Sequence, residues 1–292
     1  MRLLVGLAVV VGCSTPGAQR VPAAALPYDP GFVASSQRLR ATLARDNIEL
    51  DTQPVITTCD PGDTRKNCAR CDVATVLDQI EPELVDQMAI AFARYPSSVR
   101  KTARLEHVAF CRAITYVRGT DHGPAGLADP NAHRVYISVE YFRGAGSNLS
   151  IESAVHHEVF HLLDYETLHR EEDPAWAALN PKGFAYVDPS VGWERPKGFV
   201  NTYATTNQME DRASTWEYLM VQPDDLCDMA AKDPVVAKKV RAIWQRVVKV
   251  EGANRLGVSA RCALKAEQPT KPTKPTTRRT PKKPNLQLPT DW

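Results

Sequence analysis

An α+β fold, with a small twisted sheet and a mostly helical C-terminal half, is what this 292-residue sequence predicts. Three observations carry it. Residues 150–165 contain no Gly or Pro, and Ile151, Val155, Val159 and Leu162 recur at helical spacing. Ahead of that stretch, residues 105–118 and 134–142 read as strands, the second alternating Val135, Ile137 and Val139 with more polar positions. Behind it the helical period returns, first after Asn207 and again across 233–251.

The elements follow in chain order. Residues 1–12 read as a targeting signal: Arg2 supplies a positive start, and Leu3 to Val11 form an apolar run too short to span a bilayer. Val10-Val11-Gly12-Cys13 is similar to a bacterial lipobox, which makes Cys13 the lipidated first residue of the mature chain. Ser14 resembles the outer-membrane sorting choice. The expectation is a membrane-anchored protein of the bacterial envelope. The alternative is an ordinary cleaved signal, cut near Ala23-Ala24-Ala25, and a secreted protein. Both readings export the chain.

Export decides how the other cysteines are read. Without Cys13 there remain Cys59, Cys68, Cys71, Cys111, Cys227 and Cys262, an even set suited to three disulfides of undetermined pairing. Cys68-Ala69-Arg70-Cys71 could be half of a structural zinc site, but no second CxxC or Cys/His pair follows it.

Residues 13–34, rich in Ala, Pro, Ser and Gly, read as a tether, and 35–264 as one domain large enough to bury a sizeable core. Within it, Glu81-Pro82-Glu83 opens a helix with a stripe of Leu84, Met88, Ala91 and Phe92, stopped by Pro96. Asp129-Pro130-Asn131-Ala132 is a turn. In the last helix Val236, Val240, Ile243, Trp244 and Val247 face inward, with Lys238, Lys239, Arg241, Arg246 and Lys249 mostly on a solvated face. Residues 265–292 are Pro, Thr, Lys and Arg almost throughout and cannot build a core. That tail has seven cations against two anions, +5, so the rest of the chain carries −3 of the total +2. The basic balance belongs to the tail, and nothing indicates a nucleic-acid partner.

The chemistry is concentrated in His157-Glu158-Val159-Phe160-His161, an HExxH on the long helix. Residues four apart share a helix face, so both imidazoles can reach one ion, with Glu158 beside it as a general base. Zinc held by two histidines needs a third protein ligand to leave a position open for water. The pattern HExxHxxGxxH is excluded, because Asp164 and Thr167 stand where it requires Gly and His. Downstream, Asn207 can cap a second helix and place Glu210 in its first turn, where a helix N-terminus favours an ionised carboxylate. Ser150 or Asn148 can cap the first helix. His156 points about a hundred degrees away around the helix and reads as a neighbour of the site.

These two blocks, 150–165 and 199–220, resemble the anthrax lethal factor-like branch of the gluzincins and its bacterial zinc-peptidase relatives. The family writes HExxH and then Tyr-x-x-Thr-Asn-x-x-Glu, into which Tyr203, Thr206, Asn207 and Glu210 fall without a gap. The resemblance implies one Zn²⁺ on His157, His161 and Glu210, Glu158 as base, and Tyr203 as donor to the reacting carbonyl. It implies supporting roles for Asp164 and Asn207, and a peptide or protein substrate. The strand ahead of the zinc helix would be the edge that holds extended substrate, or an ordinary core strand. One departure is plain: the family's further Glu, one turn after the ligand, is Ser214 here. The reading from a different class is an envelope scaffold lipoprotein that keeps zinc with little turnover.

Overall fold

The computed structural model describes residues 30–51, 55–56, 69–73, 77, 80–116, 123–143, 149–168, 172–186 and 195–258. The signal, Cys13, Cys59, Cys68, Cys262 and the tail lie outside them. The chain is α+β. Helix α1 (Pro30–Ala44) begins within the stretch assigned to the tether. It leads to strands β1 (Glu49–Asp51), β2 (Val55–Ile56) and β3 (Ala69–Val73), then helices α2 (Pro82–Ala93) and α3 (Ser97–Thr102). Strands β4 (His107–Tyr116), β5 (Gly126–Asp129) and β6 (Arg134–Ser138) complete the sheet. Only helices and 3₁₀ turns follow among the described residues: α4 (Val139–Arg143), α5 (Ile151–Leu168), α6 (Pro174–Ala177), α7 (Gln208–Val221), α8 (Pro223–Lys232) and α9 (Pro234–Val247).

The sheet runs β2-β3-β4-β6-β5, with β1 also paired to β4, and mixes parallel and antiparallel neighbours. Successive residues of β4 point to opposite faces, so Val108 and Phe110 join the main core while Ala109 and Cys111 join a smaller cluster behind the sheet. Tyr136 of β6 joins that second cluster, where the Cys71–Cys111 disulfide links β3 to β4 across Cα atoms 5.0 Å apart. This pairing removes Cys71 from the candidate zinc half-site. Cys227 is also disulfide-bonded.

For the strand after the turn, one expectation needs correction, and of the two alternatives left open, edge or core strand, the structure has the core strand. It does not reach residue 142: pairing with β4 ends at Ser138, opposite Cys111, and the chain winds into α4. Nor is it an edge. Among the described residues it lies between β4 and β5, and β5 ends the sheet; its Gly-Leu-Ala-Asp has little of the β-branched or aromatic character that marks a strand. The β5–β6 turn itself is as expected, with Ala132 N–H donating to Asp129 Oδ1 at 3.1 Å.

Helix α5 is central. Ile151, Val155, Val159 and Leu162 are all at most 1% exposed, as their spacing requires, and each contributes about 1.5–3 kcal/mol of apolar burial. Ser153, His156, His157 and Glu158 between them are buried as well, and α7 packs against this helix. Phe160 of α5 stacks on Trp216 of α7 with centroids 5.5 Å apart. The solvated face expected for α9 is interrupted: Lys239 is only 1% exposed, its ammonium 2.7 Å from Asp211 Oδ2 and 3.6 Å from the centre of the Phe199 ring. Ion pairing and cation–π attraction offset its desolvation, which hydropathy spacing does not reveal. Among the described residues, no helix is long and apolar enough to cross a membrane.

Candidate metal centre

Two capped helices bring the candidate ligands together. Ser150 caps α5, its Oγ accepting from Ser153 N–H at 3.0 Å. Asn207, in extended conformation, caps α7 by accepting from Glu210 N–H at 2.9 Å. The cap fixes the backbone of Glu210 and sets its carboxylate at the positive end of the helix. Across the gap, His157 Nε2 lies 2.9 Å and His161 Nε2 3.3 Å from the same atom, Glu210 Oε2. Ligand atoms from the three residues all fall within 4.8 Å of one another.

The donor set fits zinc. Two imidazoles and one carboxylate from two rigid helices leave a coordination position open, as a catalytic rather than a structural zinc site requires. The charge balance points the same way. Glu158 and Glu217 add two more enclosed carboxylates, so three acids surround two imidazoles. Without a cation, burial opposes charge on His157, but Glu210 on Nε2 and Glu217 on Nδ1 prevail and raise its pKa well above the usual value. Burial likewise opposes ionisation of Glu210, and His161 and His157 overcome it to hold that carboxyl well below the usual range.

Glu158 is 7% exposed, and burial raises its carboxyl against the attraction of His157 and His161. It reaches toward edge strand β5. A methyl group on Gly126 would stand 2.6 Å from Glu158 Cγ and 2.8 Å from Oε1, so only glycine permits this approach. Tyr203 opens a 3₁₀ turn (Tyr203–Thr205), 38% exposed, with its ring centroid 5.9 Å from that of His157. Thr206 Oγ1 donates to the Tyr203 carbonyl at 2.7 Å, and Asn201 Oδ1 accepts from Ala204 N–H at 2.8 Å, which brace the turn.

The remaining site residues divide. Asn207 is at the site as a cap. Asp164 turns away from the histidines: its oxygens accept from Arg212 Nε at 2.6 Å and Arg246 Nη1 at 3.4 Å. It therefore joins α5 to α7 and α9, so any support it gives the site passes through these helices. His156 is fully buried, with Nδ1 2.9 Å from the Tyr95 hydroxyl, a neighbour as its helix angle requires. Glu217 is the residue that sequence reasoning passed over. Seven positions after Glu210 it returns to the same face of α7, and its Oε2 lies 3.1 Å from His157 Nδ1. The i, i+7 repeat of Glu on a helix bearing a ligand was the available signal.

No protein-family model matches the chain, and no curated protein does. Among solved structures the chain is similar to a proposed zinc-binding metallo-peptidase from Bacteroides caccae, at 15% identity and a TM-score of 0.42. That similarity covers 78% of this chain and 91% of the other.

Proposed function

We propose that this chain is a zinc-dependent endopeptidase of gluzincin type, with one Zn²⁺ on His157, His161 and Glu210. The single observation that carries the reading is the convergence of His157 Nε2, His161 Nε2 and Glu210 Oε2 beside the enclosed carboxyl of Glu158. Zinc, when bound, supplies Lewis acidity that polarises a carbonyl and acidifies water.

The protein's own groups do the rest. Glu158 takes a proton from water and later passes it to the leaving amine, a role that suits a carboxyl whose pKa burial raises above the usual carboxylate value. Tyr203, exposed at the rim, donates its hydroxyl to the developing oxyanion. Strand β5 pairs with β6 on one side and ends the sheet, so an extended peptide can add to its other side beside Glu158. Gly126 keeps that strand close to the base.

The test is metal analysis of the purified protein, followed by digestion of a diverse peptide library by the wild type and by Glu158→Gln. One zinc per chain and cleavage by the wild type are expected. Glu158→Gln should keep the zinc and lose about a thousand- to ten-thousandfold in kcat, the upper part of the range for general acid–base assistance. Full zinc occupancy with no cleavage of any substrate would favour a zinc-containing scaffold instead.

A further inference from the structure

Glu217 stands at this centre without being one of the three converging ligands or the base. A carboxylate with 8% of its side chain exposed is costly to bury unless something compensates it, and the compensating group is His157. The two side chains are equally enclosed, and they meet through Glu217 Oε2 and the ring nitrogen remote from the convergence point.

We propose that Glu217 is the positioning residue of the metal centre, accepting the Nδ1–H of His157 and so fixing both the tautomer and the plane of that ring. This rests on the metal-centre reading above. A neutral imidazole has one N–H and one lone pair, and an ionised carboxylate can only accept. Glu217 therefore requires the hydrogen on Nδ1, which leaves the Nε2 lone pair directed at His161 Nε2 and Glu210 Oε2. The alternative tautomer would set an N–H where a cation must sit.

The rest of α7 explains why this position holds the task. Glu210 and Glu217 are two helical turns apart, so a single helix places one carboxylate at each nitrogen of the same ring, 2.9 Å from Nε2 and 3.1 Å from Nδ1. The residue between them, Ser214, is fully buried and its Oγ makes no hydrogen bond, so it does not hold the histidine. Trp216 and Leu219, both fully buried, lock the helix beside Glu217. A ligand ring with one restrained nitrogen loses less freedom when metal binds, and partners of this kind are typically worth about ten- to a hundredfold in metal affinity.

The experiment is zinc competition against a chromophoric chelator, on the full chain, with Glu217→Met, Glu217→Gln and wild type. Unfolding of the zinc-free proteins is measured in parallel. Glu217→Met, which removes the acceptor at similar volume, should bind zinc about ten- to a hundredfold more weakly. Glu217→Gln keeps an acceptor oxygen and should recover most of that loss. A merely structural role would lower zinc-free stability and leave affinity per folded molecule unchanged, and that result overturns the proposal. So does a Glu217→Gln variant as weak as Glu217→Met. A readout that needs no variant is ¹⁵N NMR of the histidine rings in zinc-loaded wild type. A His157 ring protonated at Nδ1 is expected, and protonation at Nε2 overturns the proposal. Wild type that takes up no zinc removes the metal centre itself, whereas zinc-loaded wild type with unaffected variants removes only Glu217.

Discussion

Helix α7 carries two sets of charge that are settled in opposite ways. Glu210 and Glu217 share the face turned to α5, where with Glu158 they outnumber the two imidazoles they surround. The next two residues, Asp211 and Arg212, belong to a set that is balanced within the protein. Lys239 meets Asp211 at 2.7 Å, Arg212 meets Asp164 at 2.6 Å, and Arg246 meets Asp173 at 2.6 Å. Trp176 Nε1 and the Tyr186 hydroxyl each donate to Asp211 Oδ2 at 2.9 Å. The balanced set ties α7 to α5, α6 and α9, and its charges are paired within the protein. The unbalanced set sits one helical step away and could be completed by a metal cation. Position along the helix is almost the same; what differs is whether the protein supplies the counter-charge.

The sharpest way to break that contrast is Lys239→Met. It strands Asp211, which is fully buried, and removal of one partner from a buried pair costs about 3–5 kcal/mol. Denaturant unfolding should show that loss, while the folded fraction keeps one zinc per chain. Burial already raises the Asp211 carboxyl, with Lys239 opposing it. Without the lysine the folded pKa rises further above the unfolded value, so the variant should regain stability as pH falls toward that value. Loss of zinc without loss of stability would show that the two sets are not separate.

Tyr203→Phe probes the open side. It removes one hydroxyl at the rim and should lower kcat by about a hundredfold, as for loss of one oxyanion donor. Zinc content and unfolding temperature should stay at the wild-type values. An effect confined to KM would assign Tyr203 to substrate binding alone.

The smallest effect belongs to the outer part of the balanced set. Burial works against ionisation of Asp173, but Arg246 and the N–H groups at the start of α6 hold its carboxyl below the usual range. A depressed folded pKa contributes stability above the unfolded value of about 3.9 and loses it as pH falls through the folded one. Arg246→Met should therefore cost about 1 kcal/mol near neutral pH, since Arg246 is partly exposed. It should also raise the midpoint of acid unfolding. Unchanged acid unfolding would remove Arg246 from the set.

The contrast also explains what could be read in advance. HExxH, the cap at Asn207 and Glu210 in the first turn are local relations, each written within a few residues and each realised in α5 and α7. Glu217 was visible as a residue but not as a partner, because its role depends on which helix faces α7. Lys239 was assigned to solvent because an ammonium amid polar residues normally is solvated; only the enclosed carboxylate of Asp211 makes its burial tolerable. The supporting role that the family resemblance implies for Asp164 says nothing of its partners, and Arg212 and Arg246 are those it meets.

By itself the amino-acid sequence determined the class of fold, the two helices that face each other at the candidate centre and the residues that converge between them. Those follow from periodicity, capping and spacing, which act over one or two helical turns. The tertiary structure alone decided that β6 is interior and β5 the edge, that Gly126 abuts Glu158, and that Glu217 rather than residue 214 meets His157. Glu217 and His157 are 60 positions apart and Arg212 and Asp164 are 48 apart, and such partners are chosen by packing and desolvation, for which no local pattern exists.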